Sequence, residues 1–212
     1  AIANAAQLLE TKESIVILNG DVLSSHDLTE QIRQHEANDA DVTLHLTQVE
    51  DARAFGCVPT DAQGRVTAFL EKMESPVTNQ INAGCYVFNP RVIASIPVET
   101  VVSVERETFP QLVSDGAKVY GYLENAYWLD IGTPKALLKA STDIVLRSGP
   151  GLVMPDALVD PTAVITGGSC IGRGSSVGAG SRIDGSIVEA GAEIGRDVVI
   201  ENSFVATGAI IT

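Results

Sequence analysis

Apolar residues are spaced in three different ways along this chain, and each spacing predicts a different kind of element. In Ile15–Val22, I-V-I-L-N-G-D-V, an unbroken and mostly β-branched run ends in Asn19-Gly20-Asp21. That is the pattern of a fully buried strand whose C-terminal end presents a carboxylate. Over Asp41–Gln48 the period is two. Val42, Leu44 and Leu46 alternate with Thr43, His45 and Thr47, which predicts a strand buried on one face. Between these segments, Ser25 or Asp27 is placed to cap a helix carrying Leu28, Ile32 and His35. Phe55–Val58 and Val66–Leu70, joined through a turn at Asp61-Ala62-Gln63-Gly64, predict a hairpin-like unit that ends in Glu71-Lys72. Ile81–Phe88 predicts a further apolar strand, closed by Asn89-Pro90. Helical pieces near 91–95 and 105–114, a strand at Lys118–Leu123, and a helix from Lys135 to Arg147 opened by Pro134 follow. Strands and helices interleave throughout, the signature of an α/β domain.

At Ser148-Gly149-Pro150-Gly151 the third spacing begins. Aliphatic residues recur every six positions at Val153, Val159, Ile165, Ile171, Val177 and Ile183, slip by one, and resume at Val188, Ile194 and Ile200. A sustained hexapeptide period predicts a parallel β-helix with three short strands per coil and the aliphatic side chains pointing inward. The expected domains are therefore 1–148 (α/β) and 149–212 (β-helix). Ala1–Glu10 is alanine-rich and helical in character without an N-cap, and Ala209–Thr212 stops inside a repeat, so the expectation is a piece of a longer protein.

Composition narrows the function classes. The 212 residues are 45% hydrophobic and 19% charged, enough for a real core, and the net charge of −13 argues against nucleic acid or an anionic membrane as partner. Phosphate binding by so acidic a chain needs local help from a lysine, backbone amides or a divalent cation. Cys57, Cys85 and Cys170 are far apart and odd in number, which reads as small buried hydrophobes in a reducing, cytoplasmic compartment. No signal-peptide pattern or membrane-length apolar run occurs in the sequence.

Chemistry-bearing residues sit at the ends of the apolar runs. Asp21 and Asp130 are two carboxylates able to share one Mg²⁺, which prefers oxygen ligands and takes substrate phosphate oxygens besides. Lys72 is a point charge for a phosphate, Glu71 an acceptor for sugar hydroxyls, and Asn82 beside Gly84 joins an amide to an open backbone approach. Gly20 likewise lets backbone come close to a ligand. Trp128 reads as a packing residue that aims Asp130, and the histidines His26, His35 and His45 as surface or partly buried structural residues.

With L-N-G-D at 18–21, F-G at 55–56, F-L-E-K at 69–72, I-N-A-G-C-Y-V-F at 81–88, S-V-E-R-E-T-F-P at 103–110 and Y-W-L-D-I-G-T-P at 127–134, the chain resembles the sugar-1-phosphate nucleotidyltransferases along its length. Within that family it is most similar to mannose-1-phosphate guanylyltransferases. The resemblance implies a Rossmann-like nucleotidyltransferase sheet, here incomplete, followed by a left-handed β-helix. It implies that Asp21 and Asp130 bind catalytic Mg²⁺, that Gly56, Glu71 and Asn82 hold the sugar, and that Lys72 holds its phosphate. Asp21, Lys72 and Asp130 are then the catalytic set, with Gly20 and Gly84 lining the substrate site. Glu105 is read as architecture, a helix-start carboxylate, and Met73 departs from the family's E-K-P. The implied substrates are mannose 1-phosphate and GTP, joined with release of pyrophosphate; the oligomeric state is open, although an exposed β-helix end invites a homo-oligomer through its unpaired edge.

The family's glycine-rich nucleotide loop, G-x-G-T-R-L-x-P, would precede Ala1 and is absent from these residues, so the chain alone is expected not to turn over. Glucose-1-phosphate thymidylyl- or uridylyltransferase activity remains an alternative, as does a non-catalytic regulatory subunit that binds a nucleotide sugar. A hexapeptide-repeat acyltransferase is disfavoured, because its histidine base belongs in the β-helix and none falls within 151–212.

Overall fold

The structure, a computed structural model, describes residues 1–9, 12–70 and 74–212. It divides into two compact units, Ala1–Trp128 and Leu129–Thr212.

The first unit is built on a mixed sheet of four strands. β1 (Ile15–Leu18), β3 (Val42–Gln48), β4 (Gln80–Phe88) and β5 (Val119–Leu123) lie in the order β1-β4-β3-β5, while β2 (Val22–Ser24) stands outside it. β4 is antiparallel to both β1 and β3, and β5 runs parallel to β3. On one face Val42, Leu44 and Leu46 meet Tyr86, Phe88 and Phe109, the first residue of α4 (Phe109–Ser114), with α1 (Ile2–Ala6) and α3 (Pro90–Ile93) contributing Ile2, Ala6 and Ile93. The aromatic rings interlock, Phe109 lying 5.1 Å from Tyr86 edge-on and 5.9 Å from Phe88 stacked.

The strand expected to be fully buried is not. β1 is half-buried and Leu18 is 62% exposed, because β1 is an outer strand among the described residues. A continuous apolar run reports the polarity of a strand's two faces, not its place in the sheet. β3 departs in the opposite sense. Its polar residues Thr43, His45 and Thr47 are as buried as the apolar ones, because α2 (Leu28–Ala37) covers that face. α2 brings polar groups that match: Gln31 Nε2 donates to the Thr43 and Cys85 carbonyls at 3.1 and 3.4 Å, and His35 Nδ1 lies 2.9 Å from Thr43 Oγ1. The helix starts at Asp27, whose Oδ1 accepts from Glu30 N at 3.0 Å.

His35 and His45 are correspondingly more buried than expected, at 2% and 0% exposure, whereas His26 is partly buried as read. Among the cysteines, Cys57 and Cys85 are buried as read, whereas Cys170 is only partly covered; all are free thiols. Burial pushes the Cys85 thiol up to about 11, so it behaves as an inert small hydrophobe. Phe55–Leu70 forms the expected hairpin-like unit, with antiparallel bridges Cys57↔Leu70 and Thr60↔Val66.

The second unit is the parallel β-helix, and α5 (Pro134–Leu146) groups with it. Three sheets of short parallel strands wrap a core of Ile171, Val177, Ile183, Val188, Ile194 and Ile200, which are the hexad positions. Buried serines tie one coil to the next at the corners. Ser175 Oγ donates to Glu189 O at 2.8 Å and accepts from Ala192 N at 3.2 Å; Ser181 Oγ does the same with Gly195 O and Val198 N. The one-residue slip also has a structural cause. Gly167-Gly168 makes a two-glycine corner where the next coil turns with Gly185, and α5 lands on that extra residue. Gly168 has φ +76°, and a Cβ there would collide with the Thr142 carbonyl and the Leu146 side chain. Among the described residues no helix is long and apolar enough to cross a membrane.

His45 stacks on His26 with ring centroids 3.9 Å apart, and neither of its ring nitrogens has a hydrogen-bond partner. Burial, reinforced by His26, lowers its pKa from 6.5 to about 4, with Glu124 opposing. The unfolded chain therefore binds a proton between those values that the folded chain refuses, so stability is full above about pH 6.5 and falls as pH drops toward 4. Denaturant unfolding from pH 7 to 4 is expected to show a loss from this group on the order of 3 kcal/mol. The H45L variant should lack that component; equal pH slopes in both proteins would refute it.

Candidate functional site

The site begins at an irregularity in β4. From Tyr86 to Asn82 this strand takes four residues where β3 takes two, Leu44 to Leu46. The extra length bulges at Gly84, which has φ +78°. On the other side of β4, Asn19 N donates to Gly84 O at 2.8 Å, extending the β1 ladder into the Asn19-Gly20-Asp21 turn. A Cβ on Gly84 would stand 3.0–3.1 Å from Asn19 Nδ2, Asn19 Cβ and Val22 Cγ2. Glycine is thus required twice over, for its backbone conformation and for the close passage of the turn that carries Asp21.

Asp21 itself is exposed, and open space surrounds Gly20. A groove of about 560 Å³ runs from α1 and β1 to this turn and to Tyr86. Asn82, half-buried on β4, donates through Nδ2 to Tyr86 Oη at 2.8 Å and to Glu105 Oε1 at 2.7 Å; its Oδ1 accepts from Gly84 N at 3.2 Å. Tyr86 donates to the same Glu105 oxygen at 3.1 Å. Burial above all holds the Tyr86 phenol well above its usual range, and the Asn82 hydrogen bond works against that shift.

Glu105 stands in the first turn of a helix, as read, and its side chain has a further structural role there. It lies in a π-helical stretch, Val104–Thr108, whose start is capped by Ser103, with the Ser103 side chain accepting from Arg106 N. The reciprocal carboxylate there belongs to Glu107, whose Oε1 accepts from Ser103 N at 2.8 Å. Glu105 points instead to the sheet, where it gathers Asn82 and Tyr86. The sequence carried no local signal for this, because its partners are 19 and 23 residues away.

The other expected residues are distributed as follows. Gly56 sits where β-bridge Cys57↔Leu70 closes, its Cβ position 3.3 Å from Leu70 O, immediately before Glu71 and Lys72. Glu71 and Lys72 lie outside the described residues. Trp128 packs as expected, edge-on to Phe55 at 5.7 Å and donating from Nε1 to Ala83 O at 2.9 Å. Asp130 belongs to the second unit, where its Oδ1 accepts from Gly132 N at 2.8 Å ahead of α5. The structure thus brings the Asn19-Gly20-Asp21 turn alongside Gly84, through Asn19, and sets Asn82 two residues before that bulge on β4.

The nucleotidyl transferase family profile matches residues 1–146. The chain belongs to that family. It is 47% identical over 211 residues to the mannose-1-phosphate guanylyltransferase of Mycobacterium tuberculosis, covering 94% of this chain and 58% of the relative. Mannose-1-phosphate guanylyltransferase 1 of Arabidopsis thaliana is 31% identical over 223 residues, covering 100% of this chain and 60% of the relative. Among solved structures, HddC from Yersinia pseudotuberculosis complexed with GMP-PN superposes with a TM-score of 0.57 at 25% identity, covering 68% of this chain and 60% of that one. The chain thus spans about three fifths of the length of these two relatives. The family resemblance read from its motifs is borne out.

The donor at the Asp21 turn fits a hard divalent cation. Among the described residues no three His, Cys, Asp or Glu side chains converge on one point, so an all-protein cage for a cation is not built there. An exposed carboxylate beside an open glycine suits a hard cation that keeps most of its shell for water and phosphate.

Replacing Gly84 by alanine is expected to cost at least 1–2 kcal/mol, estimated roughly from the positive φ and the close contacts together. Thermal denaturation should show the midpoint falling by several degrees, and the backbone NMR signals of Asn19–Val22 should shift. An unchanged midpoint and unchanged signals would disprove the role given to Gly84.

Proposed function

We propose that this chain carries the sugar-phosphate and metal side of a nucleotidyltransferase that makes GDP-mannose from mannose 1-phosphate and GTP. The observation that carries the reading is the bulge at Gly84, which sets Asn82 and the Asp21 turn on adjacent strands at one end of the sheet. The names of the relatives support the choice of substrates. In this reaction a phosphate oxygen of the sugar 1-phosphate attacks the α-phosphorus of the nucleoside triphosphate in line, forming the new P–O bond as the bond to the departing pyrophosphate breaks. The work left to the protein is positioning and charge neutralisation.

Asp21 and Asp130 are assigned to hold Mg²⁺, which when bound neutralises phosphate charge and relieves repulsion between the two phosphate groups. Lys72 is assigned to the phosphate of the sugar, and Glu71 and Asn82 to its hydroxyls. Gly20, Gly56 and Gly84 are assigned to the lining, where backbone approaches the substrate. A cytoplasmic enzyme that self-associates through its β-helix belongs to the same reading.

Titration of the chain with mannose 1-phosphate in Mg²⁺ buffer tests it. Saturable binding is expected, weakened about tenfold or more in K72A, as for a lost charge-assisted contact. In D21N the binding should lose its dependence on Mg²⁺. Absence of saturable binding at millimolar ligand would overturn the assignment. Binding without pyrophosphate release by a chain extended to the full length of the relatives would favour the regulatory reading over the enzyme.

A further inference from the structure

Asn82 is held in a way that decides which of its two polar ends a ligand can use. Its carboxamide nitrogen donates to Tyr86 Oη at 2.8 Å and to Glu105 Oε1 at 2.7 Å. Its oxygen accepts from Gly84 N at 3.2 Å and keeps a second lone pair. Turning the amide over would set its oxygen against the Glu105 carboxylate and its N–H against the Gly84 N–H, acceptor facing acceptor and donor facing donor.

The support is itself rigid. Tyr86 is 1% exposed and wedged against Phe109, and its hydroxyl closes the triangle by donating to Glu105. The Asn19 side chain, two residues before Asp21, also acts on that hydroxyl.

We propose that Glu105 and Tyr86 are positioning residues that lock the Asn82 carboxamide with its oxygen available, so that it accepts a hydrogen bond from a free hydroxyl of the bound sugar. This inference rests on the assignment of Asn82 to the sugar. It specifies the ligand group as a hydrogen-bond donor: a sugar that is deoxygenated, fluorinated, oxidised to a ketone or alkylated at that carbon is not held there. Glu105 acts through Asn82 and not by touching the sugar.

The test is binding of mannose 1-phosphate and its monodeoxyfluoro analogues to the chain and to the N82A, E105A, E105Q, Y86F and E105A/N82A variants, with thermal midpoints as a check on folding. E105A is expected to bind mannose 1-phosphate about tenfold more weakly, as for one lost hydrogen bond to the ligand, whereas E105Q, whose amide oxygen still accepts from Asn82, keeps most of the affinity. The double variant should be no weaker than N82A alone. One fluoro analogue should bind about tenfold more weakly than the parent to the unsubstituted chain, a penalty lost once the amide is free to present its N–H to fluorine.

Losses that multiply in the double variant, or an E105A protein that binds normally while N82A does not, would overturn the positioning role and leave Asn82 as a sugar ligand. Normal binding by N82A would instead remove the assignment on which the inference rests. Should E105A fail to fold, Y86F, which preserves the ring contacts with Phe109, carries the same comparison with N82A.

Discussion

The close passage at Gly84 is the constraint from which the first unit is arranged. β4 is hydrogen-bonded on both sides, to β1 and to β3, and it must stay in register with each. It does so by taking up its surplus length in one bulge, at a residue whose conformation an L side chain rarely adopts. The same residue has its carbonyl on Asn19 and its missing side chain opposite Asn19 and Val22. The turn bearing Asp21 is therefore fixed by a backbone hydrogen bond and by the close passage of the Asn19 and Val22 side chains over Gly84, and its carboxylate stays exposed with no cost in buried charge. Asn82 lies on the far side of the bulge, so the bulge also determines where the strand presents its amide.

Buried polar groups on the opposite face follow a second rule, that each must find a partner. α2 meets it for Thr43 through Gln31 and His35, and Gln31 Oε1 receives His26 Nε2 at 2.9 Å. His45 is the exception, with its hydrogen-bonding capacity unused and a second imidazole stacked on it. The alternation of β3 was legible as a strand, but not as one buried on both sides. A period of two separates polar from apolar positions, whereas the cover on the polar face comes from a helix whose own polar side chains point inward. That reversal is written in the pairing of Gln31 with Thr43 and Cys85, not in either segment alone.

The β-helix was the most legible part, for a physical reason. Each inward position of a coil lies above its equivalent in the coil below, so an aliphatic residue at one demands an aliphatic residue at the next. The requirement repeats without reference to distant segments. Even the slip in register is a true feature of the corner at Gly167-Gly168. What the period could not convey is the packing of α5, whose Thr142 carbonyl occupies the space a side chain at Gly168 would need. A change of sequence pattern at 148 and a boundary between compact units at Trp128 and Leu129 describe different things. The first marks where the repeat begins, the second which neighbours the helix touches.

The candidate site divides along the same line. Asp21, Gly20, Asn82 and Gly84 could be singled out because each stands at or near the end of an apolar run, where strands deliver residues to ligands. Tyr86 and Glu105 could not be given their roles that way. Tyr86 reads as one more apolar strand residue, and Glu105 sits in a run of charged residues where Glu107 has the better claim to a capping function. Only the fold shows that one carboxylate oxygen receives both the phenol and the amide. A local pattern predicts which groups reach a site; the orientation of an amide, and so whether it gives or takes a hydrogen bond, depends on the residues behind it.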